Sequence, residues 1–153
     1  MSLPACKEVY LRSDGFSFVL QLTVLGNWLH VHHLTSLQTL RIRLLDLSED
    51  KMAWVLFILN ELPSGTLRRV TFDIWLWSAY QLRGRHWDAI RQILNLDQFR
   101  GVETVSFVQR GIVDGKGPLD MKGTKEALSA KFPELRDGRR LHVEDGGYYA
   151  LST

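Results

Sequence analysis

The sequence predicts an α/β solenoid of about five parallel strands with helices on one face of the sheet, formed by residues 1–153 as a single domain. Three observations lead to this prediction: a short apolar frame recurs five times, amphipathic segments separate its copies, and the composition supports a packed core. With 45% hydrophobic and 24% charged residues, a chain of 153 residues is long enough for one domain and is not typical of a disordered protein.

The recurring frame is an apolar residue followed by others three, five and ten positions later. Its copies begin near residues 6, 37, 67, 102 and 138, and only the last has a glycine, Gly138, in its first position. At 45% apolar content, four matches arise by chance at about 4% of registers, so five copies at similar spacing indicate a repeat. The +3 positions should stack as the rungs of one sheet: Val9, Leu40, Val70, Val105 and Leu141.

Helical patterns lie between the first three copies of the frame. Residues 16–33 alternate like a strand, but the repeat spacing favours a helix over about 18–32. Ser48 is a candidate N-cap for the next helix, because Glu49 and Asp50 suit the positive end of the helix dipole. This helix is expected to end at residues 63–65 and to bury Met52, Val55, Leu56, Leu59 and Leu62.

Two further helices follow the third and fourth copies. One is expected from about Arg85 to Gln98, with Trp87, Ile90, Ile93 and Leu94 on one face. The other is short, with Thr124 as its N-cap and its end before Pro133. Strands separated by such helices are parallel and joined by right-handed crossovers, so the helices cover one face and the other face stays open.

The open face should carry the residues at +2, +4 and +6 of each copy, because side chains alternate along a strand. On the first three strands this face is rich in arginine, with Asp73 as the only acid opposite Arg43. Arginine clusters hold carboxylates and phosphates with paired hydrogen bonds. An alternative is a solvated face whose arginines pair with local carboxylates, and Trp75 could instead pack in the core. The predicted partner-binding residues are Tyr10, Arg12, Arg41, Arg43, Arg69, Asp73 and Trp75.

The frame resembles the L-x-x-L-x-L-x-x-N-x-L pattern of leucine-rich repeats. It reads LTSLQTLRIRLLDL at 34–47, GTLRRVTFDIWLW at 65–77 and GVETVSFVQRGI at 101–112. With the WDAI…LDQFRG segment at 87–101, the chain is similar to the C-terminal repeats of fungal F-box and leucine-rich-repeat proteins. The resemblance implies a substrate-recognition adaptor without its F-box. The family's Asn or Cys position holds Asp14, Leu45, Trp75, Arg110 and Gly146, so no side-chain amide ladder is expected.

No motif indicates an enzyme, a cofactor or a metal site. His30, His32 and His33 lack further ligands at suitable spacing, and Asp114–Pro118 lacks the frame of a phosphate loop. The lone Cys6 cannot form an intramolecular disulfide. We find no signal peptide or span of about 20 apolar residues, and expect a cytoplasmic or nuclear location.

The resulting functional prediction is a module that binds another protein, with an acidic or phosphorylated segment as one form of the partner. A net charge of +2 disfavours nucleic acid, which remains the alternative partner for the same arginines. A structural fragment of a longer array, a homodimer through exposed end repeats, and a hydrolase using His142 or His86 are further alternatives. We expect replacement of Arg41 and Arg43 by glutamate to abolish binding without loss of stability.

Overall fold

Five strands form one parallel sheet in the order β1–β2–β3–β4–β5 in the computed structural model. The model describes residues 8–12, 37–44, 49–63, 65–76, 78–112 and 120–149. The α/β class with a parallel sheet, predicted from the sequence, is confirmed. The strands are β1 (Glu8–Arg12), β2 (Thr39–Leu44), β3 (Arg69–Ile74), β4 (Thr104–Ile112) and β5 (Leu141–Tyr149).

Helices and short 3-10 turns occupy the connections between β2 and β5. The α-helices are α1 (Glu49–Glu61), α2 (Arg85–Leu94), α3 (Met121–Lys131) and α4 (Pro133–Asp137). The 3-10 turns are Ala79–Leu82, before α2, and Asp97–Phe99, after it.

The strand register agrees with the repeat frame. The Cα positions pair in succession from Val9 to Leu40, Val70, Val105 and Leu141, all in parallel. The register shifts only near the end of β4, at a bulge between Gln109 and Gly111. The +2, +4 and +6 residues of neighbouring strands are therefore also aligned, which places them on a common face.

The core lies between the sheet and the helices. Leu40, Val70 and Val105 are almost completely buried there together with apolar residues of α1, α2 and α3. At the next frame position, Phe72 stacks on Phe107 with 5.2 Å between ring centroids. Each buried aromatic residue removes a large apolar surface from water, so this face of the sheet supplies most of the hydrophobic stabilisation.

The predicted helices 49–61 and 85–94 are present with the expected buried faces. Leu62 is buried just beyond α1, and Leu56 is only partly buried. The α2 helix ends at Leu94, before the predicted Gln98, and residues 97–99 continue as a 3-10 turn. The predicted helix over 18–32 lies outside the described residues.

The start of α3 differs from the prediction. Asp120, not Thr124, is the N-cap: its Oδ1 accepts a hydrogen bond from the backbone N–H of Gly123 at 2.6 Å. Thr124 lies inside the helix and is completely buried. Pro133 follows α3 and is also the first residue of α4. Proline suits the first turn of a helix, because a backbone N–H at that position would have no partner within the helix.

Within the described residues, none of the helices has the length and apolar character that crossing a membrane requires.

Candidate functional site

A polar groove lies on the strand face of the sheet. It encloses about 670 Å³, and the residues that line it are the outward-facing side chains of β2, β3, β4 and β5. The lining residues are Thr39, Arg41, Arg69, Thr71, Thr104, Ser106, Val108, Arg110, His142, Glu144, Asp145 and Gly146.

The concave shape follows from the sizes of the side chains on neighbouring strands. The central strands contribute the short side chains of Thr71, Ser106 and Val108. Arg41 on β2 and His142 on β5 are longer, and both occupy the same register row as Thr71 and Ser106. Short residues between long ones leave a depression, so the groove is a direct consequence of the repeat frame.

An ion pair lies beneath one end of the groove. Arg41 donates from Nε to Asp73 Oδ2 at 3.0 Å and from Nη2 to Asp73 Oδ1 at 2.8 Å. The Arg110 Nη2 atom approaches the same carboxylate at 3.9 Å. The Asp73 side chain is 0% exposed and that of Arg41 is 32% exposed, so the cation reaches the groove and the anion does not.

The burial of Asp73 corrects the sequence-based prediction that it contacts a partner. Arg43 is its Cα neighbour in the register, as predicted, but the paired hydrogen bonds come from Arg41. A fully buried carboxylate needs a cation and hydrogen-bond donors to offset its desolvation. Asp73 therefore orients Arg41 from below, and the Arg41 side chain both offsets the buried charge of Asp73 and contributes to the lining of the groove.

The expected outcome of replacing Arg41 and Arg43 by glutamate changes for the same reason. A glutamate at position 41 would place a second carboxylate beside the buried Asp73. Like charges in a shielded environment repel strongly, so this variant is expected to lose stability. It cannot separate binding from folding.

Close packing of β5 on β4 closes the groove beside Gly146. Arg110 donates from Nη1 to the carbonyl oxygen of Gly146. A Cβ atom at position 146 would collide with the side chains of Val108 and Arg110. A larger residue at position 146 would have to displace both side chains, which favours glycine there.

A side-chain amide fixes the turn that follows β3. Gln109 accepts from the backbone N–H of Leu76 at 3.1 Å and donates to the Leu76 carbonyl oxygen. Gln109 lies one position before the family's Asn position, so the motif did not reveal it. It is a single buried contact between neighbouring repeats and does not form a ladder.

Apart from the buried Asp73, the predicted site residues divide into three groups. Arg41 and Arg69 line the groove. Arg43 and Trp75 are partly buried and do not line it. Tyr10 and Arg12 belong to β1, where the backbone register places them beside Arg41 and Arg43, but their side chains lie outside the described part of the chain.

Sequence reasoning did not select the residues at the β5 end of the groove. His142 and Glu144 were assigned to the open face but not to the site, and Asp145 and Gly146 were not assigned to the face. The bulge in the pairing of β4 with β5 follows Gln109 and Asp145, so among these residues it displaces only Gly146 from the regular alternation. Tyr80 is 71% exposed, and the Arg83 guanidinium lies over its ring, 5.5 Å from the ring centroid.

The chemistry of the groove is that of hydrogen bonding and charge recognition. Its lining combines hydroxyl groups, arginines, a histidine and two exposed carboxylates, Glu144 and Asp145. In the described part of the chain, no three or more His, Cys, Asp or Glu side chains are grouped so that they could hold a metal ion.

Comparison with known proteins gives no match: no family model, no curated protein and no solved structure is significantly similar to the chain.

Proposed function

We propose that the chain is a leucine-rich-repeat-like solenoid domain that binds an extended segment of another protein in the polar groove, as a substrate-recognition adaptor does. The aligned rungs, the helices on one side of the sheet and the repeat spacing support this proposal. The assignment to the repeat class rests on pattern and geometry together. The single-domain organisation and the cytoplasmic or nuclear location remain predictions.

The groove itself is the observation that carries the proposal. It crosses four strands, which are about 4.8 Å apart, so it measures roughly 14 Å from β2 to β5. This length accommodates four or five residues of extended chain at about 3.3 Å per residue. Thr39, Thr71, Thr104 and Ser106 offer hydroxyl groups that both donate and accept hydrogen bonds, as the peptide backbone requires.

The same groove disfavours nucleic acid as the partner. Glu144 and Asp145 line it, and both are exposed. Two carboxylates beside the binding surface repel a phosphate backbone, which carries a charge at every nucleotide. A protein segment can instead present both charges to the groove. Steep weakening of binding with salt would favour the nucleic-acid alternative.

A random peptide library displayed on phage tests the proposal. Peptides selected on the unmodified chain are measured against Thr104→Trp, which places a bulky side chain in the groove. Gln92→Trp is the matched control, because Gln92 is exposed on α2, on the helix side of the sheet. Circular dichroism and thermal melting establish that both variants are folded.

We expect the selected peptides to bind the unmodified chain and the Gln92→Trp variant equally, and to lose at least tenfold in affinity for Thr104→Trp. Failure to enrich any peptide, or equal binding to both tryptophan variants, would overturn the proposal. Preferential binding of single-stranded RNA or DNA over every selected peptide would do the same and would support the alternative function.

A further inference from the structure

We propose that the groove selects a segment carrying both an acidic and a basic side chain, about five residues apart. The inference rests on the proposed function and adds the chemistry of the partner. It follows from two charges that line the groove and have no ion-pair partner among the described residues, Arg69 at one end and Glu144 at the other. The other arginines of the lining are engaged: Arg41 by Asp73, and Arg110 by the Gly146 carbonyl oxygen.

The cationic end lies where β2, β3 and β4 begin. Arg69 is exposed, and its Cα neighbours in the register are Thr39 and Thr104. Among the described residues, no carboxylate lies within ion-pair distance of the Arg69 guanidinium. A guanidinium flanked by two threonine hydroxyls presents only hydrogen-bond donors and adaptable hydroxyls to the groove, which suits a carboxylate side chain of the partner.

The anionic end lies in the middle of β5. Glu144 and Asp145 are both exposed, and Asp145 Oδ1 accepts a hydrogen bond from the backbone N–H of Gly147 at 3.0 Å. That bond fixes Asp145 within its own turn. In the part of the chain that the structure describes, no cationic side chain pairs with Glu144. A lysine or arginine of the partner is the group that this end accepts.

The register gives the distance between the two ends. Arg69 on β3 is two strands away from β5, which is about 10 Å across the sheet. In the strand register, the residue of β5 that is level with Arg69 is position 140. Glu144 lies four residues farther along β5, about 13 Å in the strand direction. The diagonal is about 16 Å, which corresponds to about five residues of extended chain. Because side chains alternate along an extended chain, the two charges face the groove together when they are four or six residues apart.

A uniformly acidic segment fits this arrangement poorly. It would satisfy Arg69 but would bring a carboxylate toward Glu144 and Asp145. A uniformly basic segment meets the converse conflict at Arg69. Repulsion of this kind gives specificity, because it penalises the wrong partner more than it strengthens the right one. The mixed segment is the one that finds complementary charge at both ends.

Charge reversals on the protein and on the peptide test the inference. The probe is the strongest peptide from the library selection, with its acidic residue changed to lysine in one version and its basic residue changed to glutamate in another. The protein variants are Arg69→Glu and Glu144→Lys. Arg85→Glu and Glu126→Lys are the matched controls, since both positions are exposed on helices and carry the same changes of charge.

Each groove reversal is expected to weaken binding of the original peptide about tenfold, and each control about twofold or less. The Arg69→Glu variant should regain affinity only for the peptide whose acid has become lysine. The Glu144→Lys variant should regain affinity only for the other version. Peptides with the two charges moved to two or eight positions apart should bind at least fivefold more weakly than those with a spacing of four or six.

The possible failures are distinguishable from failure of the proposed function. If Thr104→Trp abolishes binding but the reversals do not, the groove binds peptides and the charge inference is wrong. If Arg69→Glu and Glu144→Lys both restored the affinity for both charge-reversed peptides, the charge inference would also be overturned. The two ends of the groove would then not recognise different charges. If Thr104→Trp has no effect, the proposed function itself is wrong.

Discussion

Each face of the sheet buries some side chains completely, but the two faces tolerate charge very differently. On the helix side, Leu40 is 1% exposed and is surrounded by apolar residues of the core. On the groove side, Asp73 is 0% exposed, yet it is ionisable. Two arginines approach Asp73, one of them with paired hydrogen bonds. Burial alone does not determine whether a carboxylate is tolerated. It is tolerated where a cationic side chain comes within hydrogen-bond distance of it.

Ion pairs on the outer surface of the helices form a third setting. Arg91 of α2 binds Glu134 of α4, with 2.9 Å between Nε and Oε2, and Lys131 of α3 binds Asp88 of α2. Glu134 is exposed to solvent. Its hydrogen bond from Arg91 lowers the pKa of the Glu134 carboxyl from 4.5 to about 2. Water screens such pairs, so their contribution to stability is small despite good geometry.

The largest expected effect comes from transferring a charge to the helix side of the sheet. Leu40→Asp places a carboxylate at a 1% exposed position in the apolar core. We expect it to lower the free energy of unfolding by more than about 4 kcal/mol, enough to unfold many domains of this size. Circular dichroism and urea denaturation measure the change. Leu40→Met should cost less than about 1.5 kcal/mol, because it conserves volume and polarity. A folded Leu40→Asp variant of unchanged stability would contradict the proposed difference between the faces.

The next effect concerns the groove side. Arg41→Met removes the paired hydrogen bonds from Arg41 to Asp73, whereas Arg110 approaches the carboxylate only to 3.9 Å, so we expect a loss of about 3 kcal/mol. The double variant Arg41→Met, Asp73→Leu should be more stable than Arg41→Met alone, because no buried carboxylate remains. Urea denaturation of the unmodified chain, the two single variants and the double variant gives the coupling energy between the two side chains. Additive effects would show that the two side chains do not act as a pair.

The smallest effect is expected at the helix surface. Glu134→Gln should lower the Tm by no more than about 3 °C at pH 7. The pKa of Glu134 in the folded protein is below its ordinary value, so the stabilisation is present above pH 4.5 and is lost as the pH falls toward 2. The Tm values of the unmodified chain and of Glu134→Gln, measured between pH 7 and pH 2, should therefore converge as the pH approaches 2. A gap that widens on acidification would contradict the assigned direction of the pKa shift.

The sequence predicted the apolar part of the molecule more accurately than the polar part. The register from Val9 to Leu141 and the buried faces of α1 and α2 follow from periodic apolar positions, which repeat in each copy. The N-cap of α3 was misplaced because Asp120 and Thr124 are both competent caps, and only the path of the chain selects between them.

The polar contacts depend on side-chain reach between strands. Asp73 has Arg43 as its register neighbour but bonds to Arg41, since a long guanidinium side chain can extend to a neighbouring row. The Gln109 contact to Leu76 likewise joins residues 33 positions apart, outside the motif position where an amide was sought. Neither partner choice is encoded in the spacing of residues along one repeat.

By itself the sequence determined the order and register of the rungs and which face of the sheet meets the helices, because burial of apolar side chains imposes a period that is visible along the chain. The tertiary structure alone decided which arginine holds Asp73, how the bulge closes the groove at Gly146, and that Arg69 and Glu144 face the same groove. The physical reason is that hydrogen bonds and ion pairs are directional and short-ranged. They depend on the positions of the polar atoms at the tips of the side chains, which the positions of the Cα atoms along the strands do not fix.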